Sequence, residues 1–114
     1  YSDDYVIATN HFISNNMIKY NNKEDNWYYT NDRYNTIDNY LKNNATIDFD
    51  KCKELISGKY GFVCQFENKL HFDTIWSAVY DLNTLYNEIC EGNPNKSKYK
   101  FDNRLEWGLK QNNK

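Results

Sequence analysis

The segment Thr74–Leu82, TIWSAVYDL, limits the fold of this 114-residue chain more than any other stretch. It is rich in β-branched and aromatic residues and contains neither glycine nor proline, the composition of a pleated strand. Ile75, Ser77, Val79 and Asp81 then face one way, and Trp76, Ala78 and Tyr80 the other. Leu82-Asn83-Thr84 supplies a turn, and LYNEICEG (Leu85–Gly92) returns as a second strand, so an antiparallel hairpin is expected. Asn93–Lys98, which holds the sole proline, Pro94, is a connection, and KYKFDN (Lys98–Asn103) reads as a last edge strand.

Upstream, YVIAT (Tyr5–Thr9) reads as a strand that runs directly into Asn10 and His11. Residues 10–26 read as a polar loop with Phe12, Ile13, Met17 and Ile18 as its apolar contribution. A helix is expected from Thr30, capped by Thr30 or Asn31, with Tyr34, Ile37, Tyr40 and Leu41 at helical spacing and Asn43-Asn44 as its end. A second helix fits Thr46–Gly58, with Asp48 or Asp50 near its start, Phe49, Cys52, Leu55 and Ile56 on one face, and Gly58 at its end. Tyr60–Phe66 reads as a short strand or an extended loop. The order is β, α, α, then mainly antiparallel β, a single α+β unit over residues 1–114 with a frayed tail at 108–114.

Composition removes several function classes. A net charge of −2 gives no footprint for nucleic acid or for an anionic membrane surface. No apolar run approaches the roughly 18 residues of a membrane span. A mean hydropathy of −0.99 would fit disorder, but an aromatic fraction of 18% argues for a folded, aromatic-rich core. Cys52, Cys64 and Cys90 are odd in number and form no CxxC, so neither a disulfide framework nor a zinc site is expected; free thiols in a reducing cytoplasm are. His11 and His71 stand alone, no carboxylate pair has a ligand spacing, and the four glycines are scattered, so no metal, phosphate loop or cofactor is implied. Eleven tyrosines and three tryptophans leave open an aromatic-rich binding or protein-interaction domain, the alternative reading. Arg33 stands out as one of two arginines among fourteen basic residues, because its planar fork does what lysine cannot.

Three pieces in order, ATNHF (Ala8–Phe12), TNDRY (Thr30–Tyr34) and TIWSAVYDLNTLYNEICEGNP (Thr74–Pro94), resemble the C-terminal part of the acyl-coenzyme A:6-aminopenicillanic acid acyltransferase family. That family neighbours the choloylglycine hydrolases among the N-terminal-nucleophile (Ntn) hydrolases. The resemblance implies part of an αββα sandwich, with two helices from an outer layer and mainly antiparallel strands. It implies action on a linear amide C–N bond through a thioester. Asn10 would be the oxyanion donor, a role whose removal costs roughly 10²–10³ in rate. Arg33 would support the nucleophile or hold a substrate carboxylate. Thr30, where the family usually has serine, and His11 would lie at the substrate end.

The family's nucleophile is a cysteine upstream of T-N-H whose own α-amino group serves as base. Tyr1 is not such a residue, and none of the three cysteines stands in that place. The chain is therefore expected to be a C-terminal portion, inactive alone. Its expected partners are the N-terminal part of the same protein and a small amide or acyl substrate. An exposed edge is expected to favour self-association.

Overall fold

The computed structural model describes residues 5–21, 26–64 and 73–102. The expectations for His71 and for a frayed tail at 108–114 lie outside them. Within them the order is a 3-10 turn at Ile18–Tyr20, another at Trp27–Tyr29, helix α1 (Thr30–Asn43), helix α2 (Phe49–Ile56), then strands β1 (Trp76–Tyr80), β2 (Asn87–Glu91) and β3 (Lys100–Phe101). The strands form one antiparallel sheet in the order β1-β2-β3. Two helices beside an antiparallel sheet make this an α+β fold, as the sequence pattern requires.

The hairpin forms where β propensity places it. Trp76 pairs with Glu91, Ala78 with Ile89 and Tyr80 with Asn87. The turn is longer than the three residues Leu82–Thr84. The Asp81 carboxylate accepts from the N–H groups of Asn83 (2.9 Å) and Thr84 (3.3 Å), and Asp81 N–H donates to the Tyr86 carbonyl at 2.8 Å. Leu85 turns through φ 60°, so pairing resumes only at Asn87. The edge strand expected at Lys98–Asn103 is reduced to the two residues of β3. Among the described residues the outer edge of β1 is unpaired.

Helix α2 starts where Asp48 Oδ1 accepts the Lys51 N–H at 2.7 Å, an N-cap that satisfies one of the orphan donors of the first turn. Its last residue is Ile56, and beyond the Ser57 cap Gly58, at φ 81°, closes the turn with its N–H on the Leu55 carbonyl at no Cβ penalty. The small core sits under this helix: Leu55, Cys64, Val79 and Cys90 are its buried apolar residues. Ser77 and Val79 face that core, and the Ser77 hydroxyl is hydrogen-bonded to the Tyr99 hydroxyl at 2.6 Å. On the opposite face Trp76 and Tyr80 are exposed.

Tyr60–Cys64 is a series of turns and bends, not a strand. Its path is set by close approach: a Cβ on Gly61, at φ 147°, would meet Thr36 Cγ2 of α1 at 2.8 Å. The same stretch stacks Tyr60 on Tyr40 at 4.4 Å and sets Phe62 against Tyr29 at 5.1 Å. After β2, Asn93 is buried, and its carboxamide donates to the Cys64 carbonyl and the Asp73 carboxylate while accepting the Asn95 N–H at 2.9 Å. The EGNP turn thus clamps Cys64 and Asp73 together through Asn93. Among the described residues no helix is long and apolar enough to cross a membrane.

Two charged groups on α2 are held by networks that fold with it. Lys53 Nζ lies 3.2 Å from Glu88 Oε2 on β2 and 3.0 Å from Asp50. With side chains 22% and 13% exposed, the Lys53–Glu88 pair is sheltered enough that its loss leaves a poorly solvated carboxylate. Burial works against the Lys53 charge, but the bonds to Asp50 and Glu88 outweigh it and raise its pKa. Lys53→Met is expected to cost about 1–3 kcal/mol in urea unfolding. Glu54 accepts from the Tyr60 hydroxyl and lies 3.0 Å from Lys59 Nζ and 3.3 Å from Lys51 Nζ. The Tyr60 bond first, and the lysines after it, hold its carboxyl at about 2 against an ordinary 4.5. A depressed folded-state pKa stabilises above the unfolded value and ceases to do so as pH falls through the folded one. The stability gap between wild type and Glu54→Gln, read from urea midpoints, is therefore expected to be full at neutral pH and to close between pH 4.5 and about 2.

Candidate active site

Residues 5–11 are extended and alternate in exposure: Tyr5, Ile7, Thr9 and His11 are half-buried, whereas Val6, Ala8 and Asn10 are exposed. This is the period of a strand, but the segment is not one. Among the described residues no neighbouring strand takes its N–H and C=O groups into a ladder. It lies instead along α1 through its side chains. Tyr5 donates its hydroxyl to Asp38 Oδ1 (3.0 Å), the His11 ring meets Tyr34 edge-on at 5.5 Å, and Thr9 meets Thr30 at 3.0 Å. The segment therefore runs antiparallel to the helix. The lengths agree: Tyr5 to Thr9 spans about 13 Å extended, and Thr30 to Asp38 about 12 Å along a helix. Thr30, Arg33, Tyr34 and Asp38 share one face of α1 by their i, i+3, i+4 and i+8 spacing.

The start of that helix is built by an unusual approach. Asn26, Tyr28 and Tyr29 have φ of 56°, 50° and 55°, the left-handed region, which costs roughly 1–2 kcal/mol for a residue with a Cβ. Thr30 is thus the first helical residue and not its cap, and Tyr29 precedes it without a side-chain cap. The capping is done from a distance by Asn26. Its Oδ1 accepts the Asn31 N–H at 2.8 Å and its Nδ2 donates to Asp32. The Thr30 hydroxyl, released from capping, turns toward the extended segment.

There it forms a hub. Thr30 is 3% exposed, and its Oγ1 accepts the backbone N–H of Asn10 at 2.8 Å, donates to Thr9 Oγ1 at 3.0 Å and lies 2.8 Å from His11 Nδ1. Thr9 Oγ1 is itself 3.1 Å from His11 Nδ1. Just beyond, the Asn21 carboxamide pairs with both backbone groups of Phe12, accepting from its N–H and donating to its carbonyl. Asn21 therefore does for the segment end what a neighbouring strand would do. No signal in the sequence separates it from the other eighteen asparagines.

Asn10 and Arg33 come together. Arg33 Nη2 donates to Asn10 Oδ1 at 2.8 Å. With its oxygen taken by the guanidinium, the carboxamide turns its Nδ2 the other way, where no acceptor among the described residues meets it. The guanidinium is half-buried, its Nε is buried without a partner among the described residues, and burial lowers its pKa. It remains a cation with donors to spare. Of the four residues singled out from the sequence, Asn10 is open to solvent, His11 and Arg33 are half-buried, and Thr30 is enclosed.

The other candidates lie elsewhere. Cys52, Cys64 and Cys90 are free, and burial pushes all three thiols up, away from the thiolate. No hydrogen bond links them to Asn10 or Arg33 among the described residues. A groove of about 650 Å³ on α1 contains Tyr29, Tyr40, Tyr60 and Phe62. Those rings pack on one another in pairs and do not form an open platform. A second cavity, of about 520 Å³, lies between the extended segment and α1, lined by Tyr5, Ile7, Ile13 and Tyr34, with Asp38 and Lys42 among its other residues. Among the described residues no group of three metal-ligating side chains gathers.

The chain matches one family model, described as acyl-coenzyme A:6-aminopenicillanic acid acyl-transferase, over residues 1–96. No curated protein and no solved structure matches it. The matched span covers the hub, the Asn10–Arg33 pair and the whole hairpin, and the chain belongs to the acyl-coenzyme A:6-aminopenicillanic acid acyl-transferase family.

Proposed function

We propose that this chain provides the oxyanion-stabilising side of a cysteine-dependent Ntn-type amide hydrolase or acyltransferase, akin to the choloylglycine hydrolases, that acts on linear amide C–N bonds. The observation that carries the reading is the 2.8 Å bond from Arg33 Nη2 to Asn10 Oδ1. It fixes which end of the carboxamide faces outward, and that end is a neutral N–H donor, the group an oxyanion needs.

The reaction follows from the family's chemistry. A cysteine sulfur attacks the amide carbon while its α-amino group takes the thiol proton, and the carbonyl oxygen becomes the anion that Asn10 Nδ2 stabilises. Collapse breaks the C–N bond, the amine leaves with that proton, and a thioester remains. Water then releases an acid, or an amine takes the acyl group. The cysteine comes from polypeptide outside these 114 residues, since the three thiols here are drawn into packing. Arg33 orients the amide and has donors left for a substrate carboxylate. The cavity beside Tyr34 suits the apolar part of an acyl group. The edge of β1, unpaired among the described residues, and the exposed Trp76–Tyr80 face suit the remaining sheet of an αββα sandwich, or self-association where that sheet is missing. Three free thiols favour a reducing, cytoplasmic setting.

In protein carrying the nucleophile, Asn10→Ala is expected to lower kcat on an acyl p-nitroanilide by roughly 10²–10³ with little change in KM. Arg33→Lys keeps the charge but loses the fork that sets the amide, and is expected to cost about 10². An Asn10→Ala variant as fast as wild type would sink the reading.

A further inference from the structure

We propose that Thr30 is a positioning residue, the centre of a proton-ordered lock in which His11 is held as its Nδ1–H tautomer and Asn10 is held by its backbone. The hydrogens at one buried oxygen decide it. Thr30 Oγ1 has a single hydrogen, and it points to Thr9 Oγ1 at 3.0 Å. The contact from Asn10 N at 2.8 Å brings a hydrogen of its own. The remaining contact, His11 Nδ1 at 2.8 Å, is a hydrogen bond only if the nitrogen supplies the hydrogen, because Thr30 has none left to give. A lone pair on Nδ1 would face a lone pair on Thr30, a residue only 3% exposed, where an unmade bond is costly. The direction therefore runs from His11 Nδ1–H to Thr30, and from Thr30 to Thr9.

The order has a purpose for Asn10. Each hydrogen bond on Thr30 prevents its hydroxyl from rotating, so a lone pair always faces the Asn10 N–H. The imidazole, packed edge-on against Tyr34, cannot swing away without breaking that ring contact. Asn10 is thus held at two ends, by Thr30 at its backbone and by Arg33 at its side chain. The imidazolium carries the same Nδ1 hydrogen, so protonation at Nε2 leaves the lock in place. His11 then acts through Thr30 and not as an acid or base. The catalytic meaning of the lock rests on the hydrolase reading above, whereas the tautomer exists without substrate.

The tautomer is read by long-range ¹H–¹⁵N correlation on the protein labelled with ¹⁵N at histidine, at a pH where the ring is neutral, with His71→Gln separating the two histidines. Wild type is expected to show His11 with Nδ1 protonated and Nε2 bare. Thr30→Ser keeps that pattern, and Thr30→Val combined with Thr9→Val, which also removes the second hydroxyl 3.1 Å from Nδ1, returns the ring to Nε2–H. A wild-type ring protonated at Nε2, or an Nδ1–H ring that survives the double replacement, overturns the proposal. Should the double variant fail to fold, Thr9→Val alone decides. Without its acceptor the Thr30 hydrogen turns to Nδ1 and the ring shifts to Nε2–H; an unchanged ring overturns the proposal equally. Kinetics separate the two readings: a wild type that leaves amides intact removes the hydrolase function and not the lock. Where amides are cleaved, Thr30→Val loses kcat at a nearly constant KM and Thr30→Ser restores it.

Discussion

The buried hydroxyl of Thr30 is the contact on which the arrangement of this site depends. Residues 5–11 have no β-ladder among the described residues, so no backbone-to-backbone pairing fixes where they lie. Their position is set by bonds to the side chains of α1, and among the described residues only Thr30 touches three consecutive residues of the segment, Thr9, Asn10 and His11. A hydroxyl can do this because it accepts twice and donates once, and burial makes each unmade bond costly. The other contacts, Tyr5 to Asp38 and His11 to Tyr34, align the segment along the helix. They do not determine its height at the helix end where Asn10 and Arg33 meet.

That hydroxyl is available because the helix is capped elsewhere. A threonine at a helix start ordinarily spends its oxygen on the second or third N–H of its own first turn. Three departures into the left-handed region bring Asn26 round to take the Asn31 N–H, which frees Thr30 to face outward from the helix end. Backbone strain of this kind persists where surrounding contacts over-determine it, and it gathers at working sites. The strained turn, the distant cap and the hub form one device. The sheet and α2 make a separate core around Leu55, Val79 and Cys90. The two are joined by Gly61 against Thr36 and by the stacked pair Tyr40–Tyr60.

Periodicity alone makes the helices and the hairpin legible in the sequence. Tyr34, Ile37, Tyr40 and Leu41 lie at helical spacing within α1, and the alternation of TIWSAVYDL places Val79 in the core and Trp76 outside. Pairing is what the residues do not spell out. YVIAT has the composition and alternation of a strand, but a strand is a property of two segments, and composition reports only one. Likewise Thr30 reads as a cap because caps are local, whereas its actual partners are about twenty residues away in the chain. Asn21, Asn26 and Asn93 do specific work in a chain where asparagine is common enough to hide it. The motif Thr-Asn-His and Arg33, which no local pattern connects, are linked by the family resemblance, and the structure brings Asn10 and Arg33 within 2.8 Å of one another.

The neighbours Asn10 and His11 show why geometry, and not chemical reputation, separates their roles. An imidazole is the more versatile group on paper. In an extended segment, however, consecutive side chains point to opposite sides. His11 falls on the same parity as Tyr5 and Thr9, which face α1, and its Nδ1 is committed to the threonines there. Asn10 falls on the other parity with Val6 and Ala8, which are exposed, and from that side Arg33 reaches only its oxygen. A shift of one residue in the placement of the segment would exchange the two, sending the imidazole outward and burying the amide. The bond from Asn10 N–H to Thr30 blocks that shift, since no other backbone N–H of the segment would then meet the hydroxyl with Thr9 and His11 still on either side. The same contact that fixes the segment therefore leaves the amide, and not the imidazole, on the exposed side.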